Sequence, residues 1–107
     1  MAYDNNQTFV AETFIDLYCD RQRRLTIGKD ELARRYDLCE DLGTMLVDHC
    51  RNVHFRDGVD EDTVLTRCFQ GLGVEPTQVT RAEARWVVCR TAELLEWTWQ
   101  SLPTADG

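Results

Sequence analysis

Two residues in the middle of the chain have types and a spacing suited to metal binding. Cys50 and His54 are four positions apart, so on a helix they lie on one face and can share an ion. The remaining ligands of a tetrahedral site would come from a carboxylate or from another cysteine, Cys19, Cys39, Cys68 or Cys89. Cys50 lies within an apolar stripe, where a cysteine behaves as a small hydrophobic residue. We therefore predict no metal and no cofactor, and keep Cys50 and His54 as weak candidates.

The five cysteines leave a second chemical alternative, a thiol-based sensor that uses the cysteine and histidine positions of the same helix. Their number is odd, so they cannot all pair within one chain, and none of their spacings is the CxxC of redox and zinc motifs. Reduced thiols in a reducing compartment are the simplest interpretation.

Catalytic constellations are not evident in the sequence. Ser101 is the only serine, which leaves little for a serine–histidine–acid triad. The glycines at Gly71 and Gly73 lack the further glycines and the preceding strand of a phosphate-binding loop. We therefore predict that the protein is not an enzyme.

A stripe on the last predicted helix is the strongest indication of a binding surface. If residues 81–101 are helical, the side chains spaced i, i+4, i+7 and i+11 share one side, away from the main apolar face. They are Trp86, Arg90, Glu93 and Trp97. Tryptophan and arginine are enriched where proteins bind each other most tightly. The stripe is therefore either packed inside the protein or an interaction surface, and the sequence leaves both open.

The charge of the chain is uneven. The net charge is −7, from 12 basic and 19 acidic residues. Residues 21–35 hold six basic and two acidic residues, a local +4, so the remainder carries −11. The basic residues of this segment suit helix termini but also form a candidate docking patch, composed of Arg21, Arg23, Arg24, Arg34 and Arg35.

The acidic balance argues against direct nucleic-acid binding, because such binding depends on basic groups that neutralise phosphates. No stretch approaches the roughly 20 apolar residues of a membrane span. The first residues lack the basic and apolar regions of a secretion signal. We expect no membrane association and a cytoplasmic location.

Apolar periodicity predicts an all-α fold, an antiparallel four-helix bundle in a single domain over residues 1–107. The predicted helices cover about 7–24, 29–55, 60–72 and 81–101, and the tail 103–107 is expected to fray. The clearest local signal is Thr80 followed by Glu83, the pattern of a capping box.

These observations favour a small acidic cytosolic protein-interaction module, an adaptor, regulator or inhibitor that acts through helix surfaces. Its expected partner is another protein, with a basic protein as one alternative and a second copy, bound through the last helix, as another. A narrower alternative is an acidic inhibitor that covers a basic, nucleic-acid-binding surface of its target, because the −11 outside residues 21–35 would steer such a partner. An alternative from a different class of function is a small helical bundle that acts as a metal- or thiol-based sensor.

Overall fold

Four helices form the regular structure of the residues that the computed structural model describes, 10–74 and 78–102. They are α1 (Glu12–Ile15), α2 (Lys29–Asp57), α3 (Glu61–Leu72) and α4 (Arg81–Leu95). The all-α prediction is confirmed. The second and third predicted helices agree with α2 and α3 to within two residues. The predicted tail 103–107 and predicted helical residues 7–9 lie outside the described residues.

The chain divides into two compact units, Met1–Asp37 and Leu38–Gly107. The first unit contains α1 and the first turns of α2, and the second contains the rest of α2 with α3 and α4. Within the described ranges no helix has the length and apolar character needed to cross a membrane.

The first unit has a small aromatic core. Phe14 is fully buried, and its ring lies 5.3 Å from that of Tyr36 and 5.8 Å from that of Tyr18. Leu32 is also buried. One turn of α1 supplies Phe14 and the start of α2 supplies Tyr36, so a short helix suffices to build this core.

The helix predicted over 7–24 is wrong over most of its length. α1 ends at Ile15, a 3₁₀ turn follows at Asp16–Tyr18, and an isolated antiparallel bridge joins Cys19 to Leu25. The carboxylate of Asp20 accepts hydrogen bonds from the backbone N–H groups of Gln22 and Arg24, both at 2.9 Å. Such local side-chain bonds compete with helix formation, and they close a turn here instead of a helix.

The second unit is built around a core shared by α2, α3 and α4. α3 packs against α4, and the buried residues of this core are Cys50, Val64, Leu65, Val88, Ala92 and Trp99. α2 approaches α4 closely at Gly43, whose carbonyl accepts a hydrogen bond from the Thr91 hydroxyl at 3.3 Å. A Cβ placed at Gly43 would lie 3.7 Å from side-chain atoms of Arg90 and Thr91, which is ordinary van der Waals contact, so α4 passes directly over this point of α2.

Local caps set the starts of α3 and α4. Asp60 caps α3 by accepting from the N–H of Thr63 at 3.0 Å. The predicted capping box of α4 is confirmed: the N–H of Glu83 donates to the Thr80 hydroxyl at 3.0 Å, and the N–H of Thr80 donates to the Glu83 carboxylate at 2.9 Å. Two of the orphan donors at this helix start are thereby satisfied.

The helix predicted over 81–101 is wrong beyond Leu95. Glu96 adopts a left-handed conformation with φ of 62°, and the N–H of Trp97 bonds back to the Ala92 carbonyl at 2.9 Å. The non-helical chain then brings Trp99 into the core, where its Nε1 donates to the Thr66 hydroxyl at 3.0 Å. Burying this large side chain stabilises the protein more than further helical turns would.

Candidate functional site

The structure disperses the predicted stripe on α4. Trp86 is buried, with 8% of its surface exposed, so it is not accessible to a partner. Trp97 lies beyond the end of α4 and no longer shares a helical face with Trp86. Glu93 is exposed and Arg90 is half-buried. The four residues therefore do not form one continuous surface.

Arg90 is engaged within the second unit. Its Nη1 donates to the Glu93 carboxylate at 3.3 Å, and its Nε lies 3.5 Å from the carboxylate of Glu40. The Nε atom is buried and makes no hydrogen bond there, so the contact with Glu40 is an ion pair alone. Arg90 thus helps to hold α2 beside α4, and binding a partner through it would first require these ion pairs to break.

A different aromatic group reaches the surface at the end of α2. The ring of Phe55 is 78% exposed and packs edge-on against His54, with 5.0 Å between ring centroids. On its other side His54 packs against Trp97 in the same manner, at 5.1 Å. We call these three residues, His54, Phe55 and Trp97, the aromatic surface. The early end of α4 is what allows Trp97 to join it.

His54 is held in place at the centre of the aromatic surface. Its Nδ1 lies 2.7 Å from the carbonyl oxygen of Val59, and since a carbonyl can only accept, Nδ1 donates. This bond and the two flanking rings fix the orientation of the imidazole. The ring of Phe55 contacts this imidazole, and Phe55 is otherwise mostly exposed.

An open cleft of about 540 Å³ lies beside the aromatic surface. His54 lines it together with Thr98, Gln100 and four acidic residues, Asp60, Glu61, Asp62 and Glu96. We call these four residues the acidic rim. Among the described residues that line the cleft, none is a lysine or an arginine. The cleft is thus negatively charged along one side of an exposed aromatic group.

Two members of the acidic rim have a lowered pKa. Hydrogen bonds from Thr63, through its hydroxyl and its N–H, lower the pKa of Asp60. Hydrogen bonds from the hydroxyl and N–H of Ser101 lower the pKa of Asp62. A donor stabilises the ionised form of a carboxyl group. Both residues therefore remain charged throughout the neutral range.

The two weak metal candidates have other partners. The Sγ of Cys50 lies 3.6 Å from the Sγ of Cys68, and Nδ1 of His54 is used by the Val59 carbonyl. Over the described ranges, no group of three or more histidine, cysteine, aspartate or glutamate side chains is placed to hold a metal ion. The five cysteines are free thiols, and Cys50 and Cys68 form the close pair that the i, i+4 spacing on α2 did not anticipate.

The predicted basic docking patch is largely paired with its own acids. Arg23 bonds to Asp16 at 2.9 Å, Arg24 lies 3.5 Å from Asp20, and Arg34 pairs with Glu31. Of the two remaining members, Arg21 is exposed and Arg35 is half-buried. Asp16 and Asp20, which precede the segment, offset part of its local +4, whereas Glu31 is already counted in that value.

Comparison of the chain with protein-family models, with curated proteins and with solved structures gave no match. The site therefore has to be interpreted from its own geometry. Phe55 is not among the predicted site residues, although its spacing carries a signal. It follows Asp48 by seven residues and Arg51 by four, so on a helix it shares a face with these two charged side chains, which indicates exposure.

Proposed function

We propose that the protein is a small acidic protein-interaction module that binds a basic segment of another protein through the aromatic surface. The observation that carries this proposal is the 78% exposure of Phe55, whose ring packs against His54, a residue that lines the acidic cleft. Large aromatic side chains supply most of the energy at many protein interfaces. An exposed aromatic ring beside an acidic cleft is suited to that role.

The acidic rim supports a basic partner. Asp60, Glu61, Asp62 and Glu96 line one cleft beside the aromatic surface. The second unit as a whole carries 12 acidic and six basic residues, so its field also attracts cations. Charge complementarity of this kind raises the rate of association and selects among partners. A segment that combines arginine or lysine with an apolar side chain fits both features.

The proposal also includes three features that do not depend on this surface. They are a cytoplasmic location, an antiparallel arrangement of the four helices, and a function without a catalytic step. In the narrower inhibitor form, the basic surface that the protein covers is one that binds nucleic acid. A homodimer through α4 is the competing form, because Leu94 on that helix is 41% exposed.

A cross-linking experiment tests the proposal. Replacing Phe55 of the full chain by p-benzoylphenylalanine places a photoreactive group at the centre of the aromatic surface. We expect cross-links to a basic region of one partner protein, and fewer of them as salt is raised, because salt screens exposed charges. The same replacement at Met45, which is 67% exposed on α2, is the matched control and should not cross-link to that region.

Two outcomes would overturn the proposal. Equal cross-linking from positions 45 and 55 would mean that the contacts are non-specific. Cross-links from position 55 to a second copy of the chain would mean that the surface serves self-association. For the inhibitor form, addition of the nucleic acid that the partner binds should displace the protein, and simultaneous binding of both would contradict it.

A further inference from the structure

Two cysteines of the second unit lie close enough to react with each other. Cys50 on α2 and Cys68 on α3 are both free, and their Sγ atoms are 3.6 Å apart. A disulfide requires about 2.0 Å between sulfurs, so a small approach of the two side chains would suffice. This pair lies in the core of the unit and takes no part in the aromatic surface.

The two thiols differ in their access to solvent. Cys50 is fully buried, whereas Cys68 is half-buried and lines an open groove of about 400 Å³. The ionisable residues that line the same groove are His49, Asp57 and Arg67. A small oxidant entering this groove meets Cys68 and cannot reach Cys50 directly. Cys68 is therefore placed to react with the oxidant, and Cys50 is placed to react only with Cys68.

We propose that Cys68 and Cys50 form a peroxide-sensitive dithiol, in which Cys68 reacts with a small hydroperoxide and Cys50 then closes a disulfide. This proposal goes beyond the interaction function and does not depend on it. Neither sulfur needs a metal or a cofactor for these steps. Because the groove is open, hydrogen peroxide and small organic hydroperoxides can reach Cys68.

The reaction consumes one hydroperoxide for each disulfide. The Cys68 thiolate attacks the terminal oxygen of the hydroperoxide, the O–O bond breaks, and the alkoxide or hydroxide leaves and takes a proton from water. Cys68 is then a sulfenic acid. Cys50 loses its proton and attacks the Cys68 sulfur, the S–S bond forms, the S–O bond breaks, and the hydroxide leaves as water with that proton. Two thiols are oxidised and the peroxide is reduced by two electrons.

The electrostatics of the two thiols support the same order of reaction, in which Cys68 reacts first and Cys50 second. A hydrogen bond from the Cys50 thiol lowers the pKa of Cys68, since it stabilises the Cys68 thiolate. The same contact and burial raise the pKa of Cys50. Cys50 therefore keeps its proton until Cys68 has been oxidised. By contrast, burial raises the pKa of Cys89, which makes this thiol a suitable internal reference.

Peroxide treatment of the reduced full-length protein tests the proposal. We expect the intact mass to fall by two hydrogen atoms, and peptide mapping to place one disulfide between Cys50 and Cys68. With dimedone present in the Cys50→Ser variant, the sulfenic acid should be trapped at Cys68. Before oxidation, alkylation of the native protein should modify Cys68 faster than Cys89, because the pKa of Cys68 is lowered and burial raises the pKa of Cys89. The Cys89→Ser variant should form the disulfide at the wild-type rate.

Other results would overturn the proposal. One is oxidation of Cys19 or Cys89 while Cys50 and Cys68 stay reduced. Another is formation of the disulfide only after unfolding in urea. If Cys50→Ser does not fold, brief peroxide treatment of the wild-type protein with dimedone decides the order. An adduct on Cys68 supports it, and an adduct on Cys50 contradicts it.

Discussion

The core of the second unit and the aromatic surface use similar residues in opposite ways. In the core, Trp99 is 8% exposed, packs 5.7 Å from the ring of Phe69 and donates its indole N–H to Thr66. At the aromatic surface, Phe55 is 78% exposed and its ring contacts His54. The first arrangement holds the unit together. The second stabilises the fold little, because Phe55 is mostly in water.

The largest expected effect on stability is in the core, at Trp99. Trp99→Ala removes a buried indole and leaves a cavity between α3 and the end of α4. We expect a loss of about 3–5 kcal/mol in the free energy of unfolding, measured by urea denaturation. Trp97→Ala is the control and should cost less, since Trp97 is only half-buried. Equal losses would mean that the two tryptophans have the same structural role.

A smaller effect is expected at the start of α4. Thr80→Ala removes the hydroxyl that accepts from the N–H of Glu83 and disrupts the capping box. We expect a loss of about 1 kcal/mol in unfolding free energy. Thr44→Ala, at an exposed position of α2, deletes the same hydroxyl without a cap and should change stability by less than about 0.5 kcal/mol. If the Thr80 cap did not stabilise the helix, Thr80→Ala and Thr44→Ala would change the free energy of unfolding equally.

The acidic rim should contribute a modest dependence of stability on pH. Hydrogen bonds hold the pKa of Asp60 and Asp62 below their ordinary value of 3.8. The folded state therefore binds fewer protons at these sites, so their contribution is present above that value and is lost as pH falls through the folded pKa. Urea midpoints from pH 6 to about pH 3 should fall less in Asp62→Asn than in the wild type. Identical slopes would show that Ser101 does not stabilise the Asp62 carboxylate.

The smallest expected effect on stability is at the aromatic surface itself. Phe55→Ser should change the free energy of unfolding by less than about 0.5 kcal/mol, because the ring is mostly in water. Met45→Ser, at another exposed apolar position of α2, should behave in the same way. If Phe55→Ser lowered the free energy of unfolding as much as Trp99→Ala, Phe55 would be part of the core. The contrast between the core and the aromatic surface would then be wrong.

The parts of the fold that the sequence predicted well are those set by nearby residues. The periodic stripe of α2 and the capping box of Thr80 and Glu83 are local patterns, and both are present. The ends of the other helices depend on competing contacts. Asp20 closes a turn that interrupts the predicted first helix, and the burial of Trp99 ends α4 at Leu95.

The candidate site was less predictable for the same reason. The stripe of Trp86, Arg90, Glu93 and Trp97 assumed a helix that continues past Leu95, and the turn at Glu96 separates Trp97 from it. Trp97 meets His54 only because α4 ends where it does, which no local pattern specifies. The periodicity did place Cys50 in the apolar stripe of its helix. Its contact with Cys68 at 3.6 Å depends on how α2 and α3 are aligned.

The most direct test of the central claim is the affinity of the cross-linked partner for three forms of the full-length protein, measured by titration calorimetry. The account predicts that Phe55→Ser weakens binding by about 2 kcal/mol, roughly thirtyfold, while Met45→Ser binds like the wild type. It also predicts that affinity falls as salt is raised, because the acidic rim faces a basic partner. Equal affinity of all three forms would contradict the assignment of the aromatic surface as the binding site.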